Sequence, residues 1–230
     1  GIVVAFDDLS KINKVKSTFK KYVSKNIVDK LLESEDSLNL GGTESDVTIL
    51  FSDIRGFTSM SEKLSPSEIV KLLNKYFKSM IDVVFKYNGT LDKIVGDELM
   101  VLYGVPLKNE NDTFDAVKTA VEMFKALDKF NKKIISEGYE PFRIGIGINQ
   151  GKAVSGNIGS DQQMNYTVIG DTINLGARLC SHAKSGEILI SKSVKGIIDN
   201  QFSFKKIPSI KVKGKAKAID VWLYEHKENN

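Results

Sequence analysis

The sequence predicts an α+β domain with the core order βαββαβ, its helices packed on one face of an antiparallel sheet. Three observations predict this. A β-branched and aromatic run at 47–51 has the length of a buried strand, ends on Ser52 and Asp53, and breaks into a turn at Gly56. Two long stretches, 66–87 and 112–137, carry apolar residues at three- and four-residue steps, the period of helices with one buried face. Between them, short apolar runs at 90–95 and 98–103 meet at Gly96-Asp97, a tight reversal that reads as a β-hairpin with Asp97 at its tip.

The chain has 230 residues, enough for one domain of about 180 residues and an appendage. Its net charge of +4 is modest, and the lysines crowd into 11–30, where Lys11, Lys14, Lys16, Lys20, Lys21, Lys25 and Lys30 face only Asp29. A solvated helix face accounts for them, and no nucleic-acid partner is expected. The single cysteine, Cys180, excludes an intramolecular disulfide and suits a reducing compartment. No apolar run approaches the roughly 20 residues of a membrane span and no signal peptide opens the chain, so the expected location is cytoplasmic.

Taken in order, residues 1–8 read as a strand closed by two acids with no partner nearby in sequence. Over 10–33, Ile12, Val15, Phe19, Tyr22 or Val23, Ile27, Leu31 and Leu32 trace a narrow apolar seam, which wants a second helix; a parallel coiled coil with its own copy is the economical partner, and a helix lying on the downstream domain would show the same pattern. Residues 38–45, with Gly41-Gly42, read as a linker, and the globular part starts at Val47. Ser65-Pro66-Ser67-Glu68 combines a capping serine, proline at the first helical position and a glutamate three residues after the cap, which marks a helix start. Asn88-Gly89 stops that helix and Gly138 stops the one begun near Asp112. Beyond it, 142–148 is a strand, 152–157 and 164–168 pair as a hairpin, 171–182 is a helix, and the tail alternates short strands with one more helix.

Asp53 is a carboxylate where a core strand surfaces, which makes it either a hydrogen-bond anchor or a metal ligand. The βαββαβ topology sets the end of strand one beside the hairpin, so Asp53 and Asp97 face one another across a gap of ionic size. Such a pair suits Mg²⁺, which takes one or two carboxylates and completes its shell with substrate phosphates. The turn 54–58 between strand and helix offers successive backbone N–H groups to a polyphosphate.

FSDIRGFT, DKIVGDELMVLYG, RIGIGINQG, NIGS and YTVIGDTINLGARL, in this order, resemble the catalytic domain of class III nucleotidyl cyclases over about 46–225. The resemblance implies a ferredoxin-like βαββαβ core and a head-to-tail homodimer with two equivalent interfacial sites. It also implies two Mg²⁺ or Mn²⁺ per site. Residues 1–9 resemble the end of a PAS-like sensor domain, and 10–45 a signalling helix with its linker, leaving 46–230 as the cyclase domain of a longer, signal-regulated chain.

Carried over position by position, the resemblance makes Asp53 and Asp97 the metal-binding aspartates, with the Ile54 carbonyl as a further ligand. Phe57 and Thr58 fall in the phosphate turn, and Arg143 and Lys213 match residues that reach the phosphates. From the other subunit, Asn174 matches the group that orients the ribose and Arg178 the one that stabilises charge developing on the α-phosphate. Lys93 and Thr167 match the two base-reading positions. Lysine only donates hydrogen bonds, which suits the ring-nitrogen acceptor of adenine and not the N–H edge of guanine. Threonine stands where aspartate is commoner, a combination similar to the bicarbonate-responsive subgroup, so bicarbonate is an expected activator.

The reaction implied is ATP to 3′,5′-cyclic AMP and pyrophosphate. Guanylyl cyclase is the nearer alternative and a non-catalytic dimerisation module the remoter one. A diguanylate cyclase would carry GG(D/E)EF at the hairpin tip, where this chain has Val95-Gly96-Asp97-Glu98-Leu99.

Overall fold

A computed structural model of the protein describes residues 40–160, 162–198, 201–211 and 218–225. The strand expected over 1–8, the helix over 10–33 and Lys213 lie outside the described residues. In chain order the elements are β1 (Gly41–Ile54), α1 (Phe57–Ser61), α2 (Pro66–Lys86), β2 (Thr90–Val95), β3 (Glu98–Tyr103), α3 (Asp112–Ser136) and β4 (Ile144–Ser160). They continue as β5 (Gln163–Ile169), α4 (Asp171–His182), β6 (Ile188–Ser191), α5 (Lys192–Ile197), β7 (Phe204–Ile210) and β8 (Ile219–Tyr224). The eight strands form one sheet in the order β2-β3-β1-β4-β6-β8-β7, with β5 pairing to β4 off this path. Every pairing is antiparallel except β4 with β6, which is parallel.

Two expectations about strand limits are corrected. Residues 41–45, read as linker, are strand: β1 pairs with β4 along its whole length, from Gly41 opposite Asn157 to Ile54 opposite Ile144. Their side chains are mostly exposed, so the ladder and not apolar burial holds them, and apolar patterning missed them. The stretches 142–148 and 152–157, read as separate strands, fall from residue 144 onward in the single 17-residue β4. Its glycines resemble breaks but mark close approaches: a Cβ on Gly151 would stand 2.9 Å from Thr172 Oγ1.

Capping explains the α2 start as expected. The Glu68 N–H donates to Ser65 Oγ at 3.4 Å, and the Ser65 N–H donates back to Glu68 Oε2 at 2.9 Å. Leu72, Tyr76, Met80 and Val84 of α2 and Val117, Ala120 and Ile134 of α3 bury against Leu50 and Ile54 of β1. Tyr76, Phe130 and Phe142 close this core with ring centroids 5.2–5.9 Å apart. The Asn131 amide clamps the Phe142 backbone with two 2.8 Å hydrogen bonds, which fixes the chain just before Arg143.

The helices do not share one face. Val47, Ile49 and Phe51 point to the opposite side of β1 and bury there with Cys180, packed by Ile173 and Ala177 of α4. Alternation along β1 thus feeds two cores, and since a buried Ile, Leu or Phe contributes about 1.5–3 kcal/mol, a one-residue slip would be ruinous. α4 lies flush on the sheet because two glycines meet there. A Cβ on Gly147 would overlap the Cys180 backbone, and one on Gly176 would stand 2.9 Å from Ile49 Cγ2. Gly147→Ala is therefore expected to cost about 3 kcal/mol, or roughly 6–12 °C in Tm, by thermal denaturation. Gly196→Ala, whose Cβ would meet nothing within 4 Å, serves as the neutral control.

Candidate active site

The two candidate acids, Asp53 and Asp97, meet at the end of the sheet where β1 and the β2–β3 hairpin surface. β3 runs antiparallel to β1 with Leu99 opposite Ser52, which brings the β2–β3 tip beside Asp53. Gly96 takes φ 62 at that tip, a left-handed conformation that suits glycine and turns Asp97 back toward β1. The Asp97 carboxyl lies beside the Asp53 carboxyl and the Ile54 backbone N–H, close enough for the two acids to feel one another's charge. Burial and then the Asp53 charge push its proton affinity above the ordinary carboxylate range. Glu98, raised by burial and then by Asp53 and Asp97, adds a third acid to the same field.

Arg55 answers part of this negative charge and was not singled out by sequence reasoning. Its guanidinium pairs with Asp53 and donates to the Cys180 backbone carbonyl. Gly145 leaves the space for it, since a Cβ there would overlap the guanidinium. The Cys180 thiol beneath is pushed up to about 12 by burial, so it acts as an apolar filler. The Arg55 N–H also donates to the Arg143 carbonyl at 2.7 Å, tying the turn after β1 to the entry of β4. Arg143 itself is exposed beside the acids' end of β1.

The donor set fits a hard divalent cation: two facing carboxylates, one of them made to hold its proton more tightly by burial and by the charge of the other. This yields a thermal prediction. A carboxyl whose proton affinity is raised on folding stabilises below the ordinary carboxylate range and loses that contribution as pH rises through its raised value. Metal-free Asp97→Asn is therefore expected to melt above the parent at pH 7, the gain vanishing toward pH 4. Millimolar Mg²⁺ is expected to raise Tm for the parent and not for Asp97→Asn in a fluorimetric melt.

A second cluster lies on β2 and β5. Lys93 Nζ donates to Thr167 Oγ1 at 3.4 Å and pairs with Asp92 Oδ2 at 3.2 Å, while Thr167 Oγ1 donates to the same Asp92 oxygen at 3.2 Å. The two expected base-reading residues thus touch, and Asp92, unforeseen, joins them. Phe57 and Thr58 open α1 directly after Gly56, Phe57 half-buried and Thr58 exposed. Asn174 is exposed and Arg178 half-buried, one turn apart on α4. No interaction is recorded between these two side chains and either cluster among the described residues. His182, at the end of the same helix, is held by its Nδ1 against the Arg178 carbonyl at 2.9 Å.

A βαββαβ core with paired acids at the β1 end and hairpin tip, and a basic and polar helix behind, defines a nucleotidyl cyclase domain. The chain belongs to that family: the adenylate and guanylate cyclase catalytic domain model matches residues 42–225. Adenylate cyclase 1 of Rhizobium meliloti (strain 1021) is 31% identical over 207 residues, covering 89% of this chain and 31% of its own length. An adenylate cyclase of Anabaena cylindrica is 34% identical over 224 residues, covering 93% and 44%. The chain spans less than half the length of these curated relatives. The adenylyl cyclase CyaB from P. aeruginosa superposes with TM-score 0.79 at 35% identity, covering 83% of this chain and 98% of that one. The guanylyl cyclase Cya2 superposes with TM-score 0.78 at 39% identity, covering 80% and 94%. No helix among the described residues is long and apolar enough to cross a membrane.

Proposed function

We propose that this chain is an adenylyl cyclase domain that converts ATP to 3′,5′-cyclic AMP and pyrophosphate as a homodimer with two sites, each built from both subunits. The observation that carries the base assignment is the Lys93–Thr167 contact, which sets an obligate donor beside a hydroxyl where the base is read. Asp53, Asp97 and the Ile54 carbonyl would hold two Mg²⁺ or Mn²⁺ ions, whose chemistry is to acidify the ribose 3′-hydroxyl and neutralise the triphosphate. Asp53 and Asp97 present their carboxylates at the mouth of β1, and Arg55 keeps Asp53 in place. The turn at Phe57 and Thr58, with Arg143 and Lys213, holds the β- and γ-phosphates.

From the partner subunit, Asn174 orients the ribose so that its 3′-oxygen meets the α-phosphorus in line. Arg178 stabilises the charge that gathers on the α-phosphate as the new O3′–P bond forms and the bond to the β-phosphate oxygen breaks. Pyrophosphate leaves, and the 3′-hydroxyl proton passes to solvent. The sequence resemblance further leads us to propose a cytoplasmic domain controlled by an upstream PAS-like segment through the stretch that precedes β1, with bicarbonate as an activator. Deleting residues 1–40 is expected to change dimer affinity and cyclase rate.

Cya2, a guanylyl cyclase, is a close structural relative, so guanylyl cyclase is the second reading. Purified protein incubated with Mg²⁺ or Mn²⁺ and either ATP or GTP, with products resolved by chromatography, decides between them. Faster cyclic AMP formation is expected. Faster cyclic GMP formation would overturn the base assignment, and no cyclic product from either would leave a non-catalytic module.

A further inference from the structure

We propose that Asp92 is a positioning residue for base selection: it accepts the hydrogen bond of the Thr167 hydroxyl, so that Thr167 faces the nucleotide only as an acceptor. This rests on the adenylyl cyclase reading and explains how that site resolves an ambiguity in its own chemistry. A threonine hydroxyl has one hydrogen to donate and two lone pairs to accept. Left free, it could donate to the O6 of guanine as readily as accept from the 6-amino group of adenine. Here the hydrogen is already committed, because Thr167 Oγ1 donates to Asp92 Oδ2 at 3.2 Å. Lys93 supplies a donor from the same side, through its 3.2 Å pairing with that oxygen and its 3.4 Å contact with Thr167. Donor beside acceptor matches the acceptor N1 and donor N6–H₂ of adenine, and opposes the N1–H and O6 of guanine at both points.

The backbone shows how consecutive residues reach one side. Along a regular strand Asp92 and Lys93 would point to opposite faces. In β2 the register shifts between Leu91, opposite Val101, and Lys93, opposite Met100, so Asp92 is the extra residue of a β-bulge. Bulges re-aim side chains in this way. The result is a carboxylate whose side chain is only 1% exposed against 47% for Lys93. Its Oδ2 receives both donors, and its Oδ1 is buried with no hydrogen-bond partner among the described residues. Burying a carboxylate in this half-satisfied state is costly, which an orienting role explains and a general solubilising one does not.

The asymmetry between the two oxygens sets the test. Asn fits with its carbonyl at the Oδ2 place and its amide at the unpartnered Oδ1 place, so Asp92→Asn keeps the acceptor for Thr167. The readout is the ratio of kcat/KM for ATP over GTP, with folding checked by thermal melts. Asp92→Ala is expected to lower that ratio about tenfold, chiefly by raising GTP turnover, while Asp92→Asn stays within about twofold of the parent. In a Thr167→Val background, Asp92→Ala is expected to change the ratio clearly less than it does with Thr167 present, because only its pairing with Lys93 remains. Should Asp92→Ala fail to fold, Asp92→Val, which suits a strand and carries no acceptor, replaces it. An unchanged ratio in Asp92→Ala, or an equal drop with and without Thr167, overturns the proposal. A parent that prefers GTP would instead sink the adenylyl cyclase reading, so the two failures are told apart.

Discussion

Replacing Arg178 by alanine is expected to lower kcat for cyclic AMP formation by about 10²- to 10³-fold, with KM for ATP and the melting temperature little changed. The size follows from timing. A guanidinium that meets charge only as it develops on the α-phosphate contributes to the transition state and little to the ground state. The folding half follows from packing. Arg178 is half-buried on α4, whereas Leu179 and Cys180 on the same turn are fully buried and carry the helix against the sheet. The Gly147–Gly176 contact sets the height of that helix, so Arg178 is placed by residues that a truncation at 178 leaves alone. Steady-state kinetics on the purified variant checks it; a matching loss in KM alone would assign Arg178 to binding.

Lys93→Glu is expected to lower the ATP over GTP ratio of kcat/KM by about 100-fold, mostly by loss of ATP turnover. Glutamate can only accept, so it meets the N1 lone pair of adenine with another lone pair and leaves both unsatisfied. Gain of GTP turnover is expected to be small, for a reason particular to this chain. The new carboxylate would stand against buried Asp92, and Thr167, held as an acceptor, would still oppose the guanine O6. Lys93→Glu combined with Asp92→Asn is therefore expected to turn over GTP faster than Lys93→Glu alone. Initial rates with both nucleotides measure this directly.

Most of the fold was legible because its elements bury residues periodically. The α2 cap at Ser65, the stripe through Tyr76 and Met80, and the reversal at Gly96 all follow from local rules that tertiary contacts reinforce. What was hidden depended on approach between distant segments. Residues 41–46 have little apolar pattern, and only the facing stretch 152–157 makes them a strand. Gly151 fell in the gap between two expected strands of what is one β4, because its purpose lies in Thr172 packing on it. In the candidate site, Asp53, Asp97, Lys93 and Thr167 stood out by motif, and the structure sets them in two pairs. Arg55 passed as a turn residue until its guanidinium was seen against Asp53 and Cys180. Asp92 was out of reach, since alternation assigns it to the face opposite Lys93 and only the bulge reverses that.

The central claim is that one chain supplies the acids of a site and another its base-reading and transition-state residues. It is tested most directly by joining two inactive proteins. Asp53→Ala and Arg178→Ala chains, co-expressed with different tags and purified through both, form heterodimers in which one site carries both lesions and the other carries none. Such heterodimers are expected to show about half the specific cyclase activity of the parent dimer, while each variant alone stays near background. Activity that stays at background in folded, doubly tagged heterodimers would contradict the shared-site account.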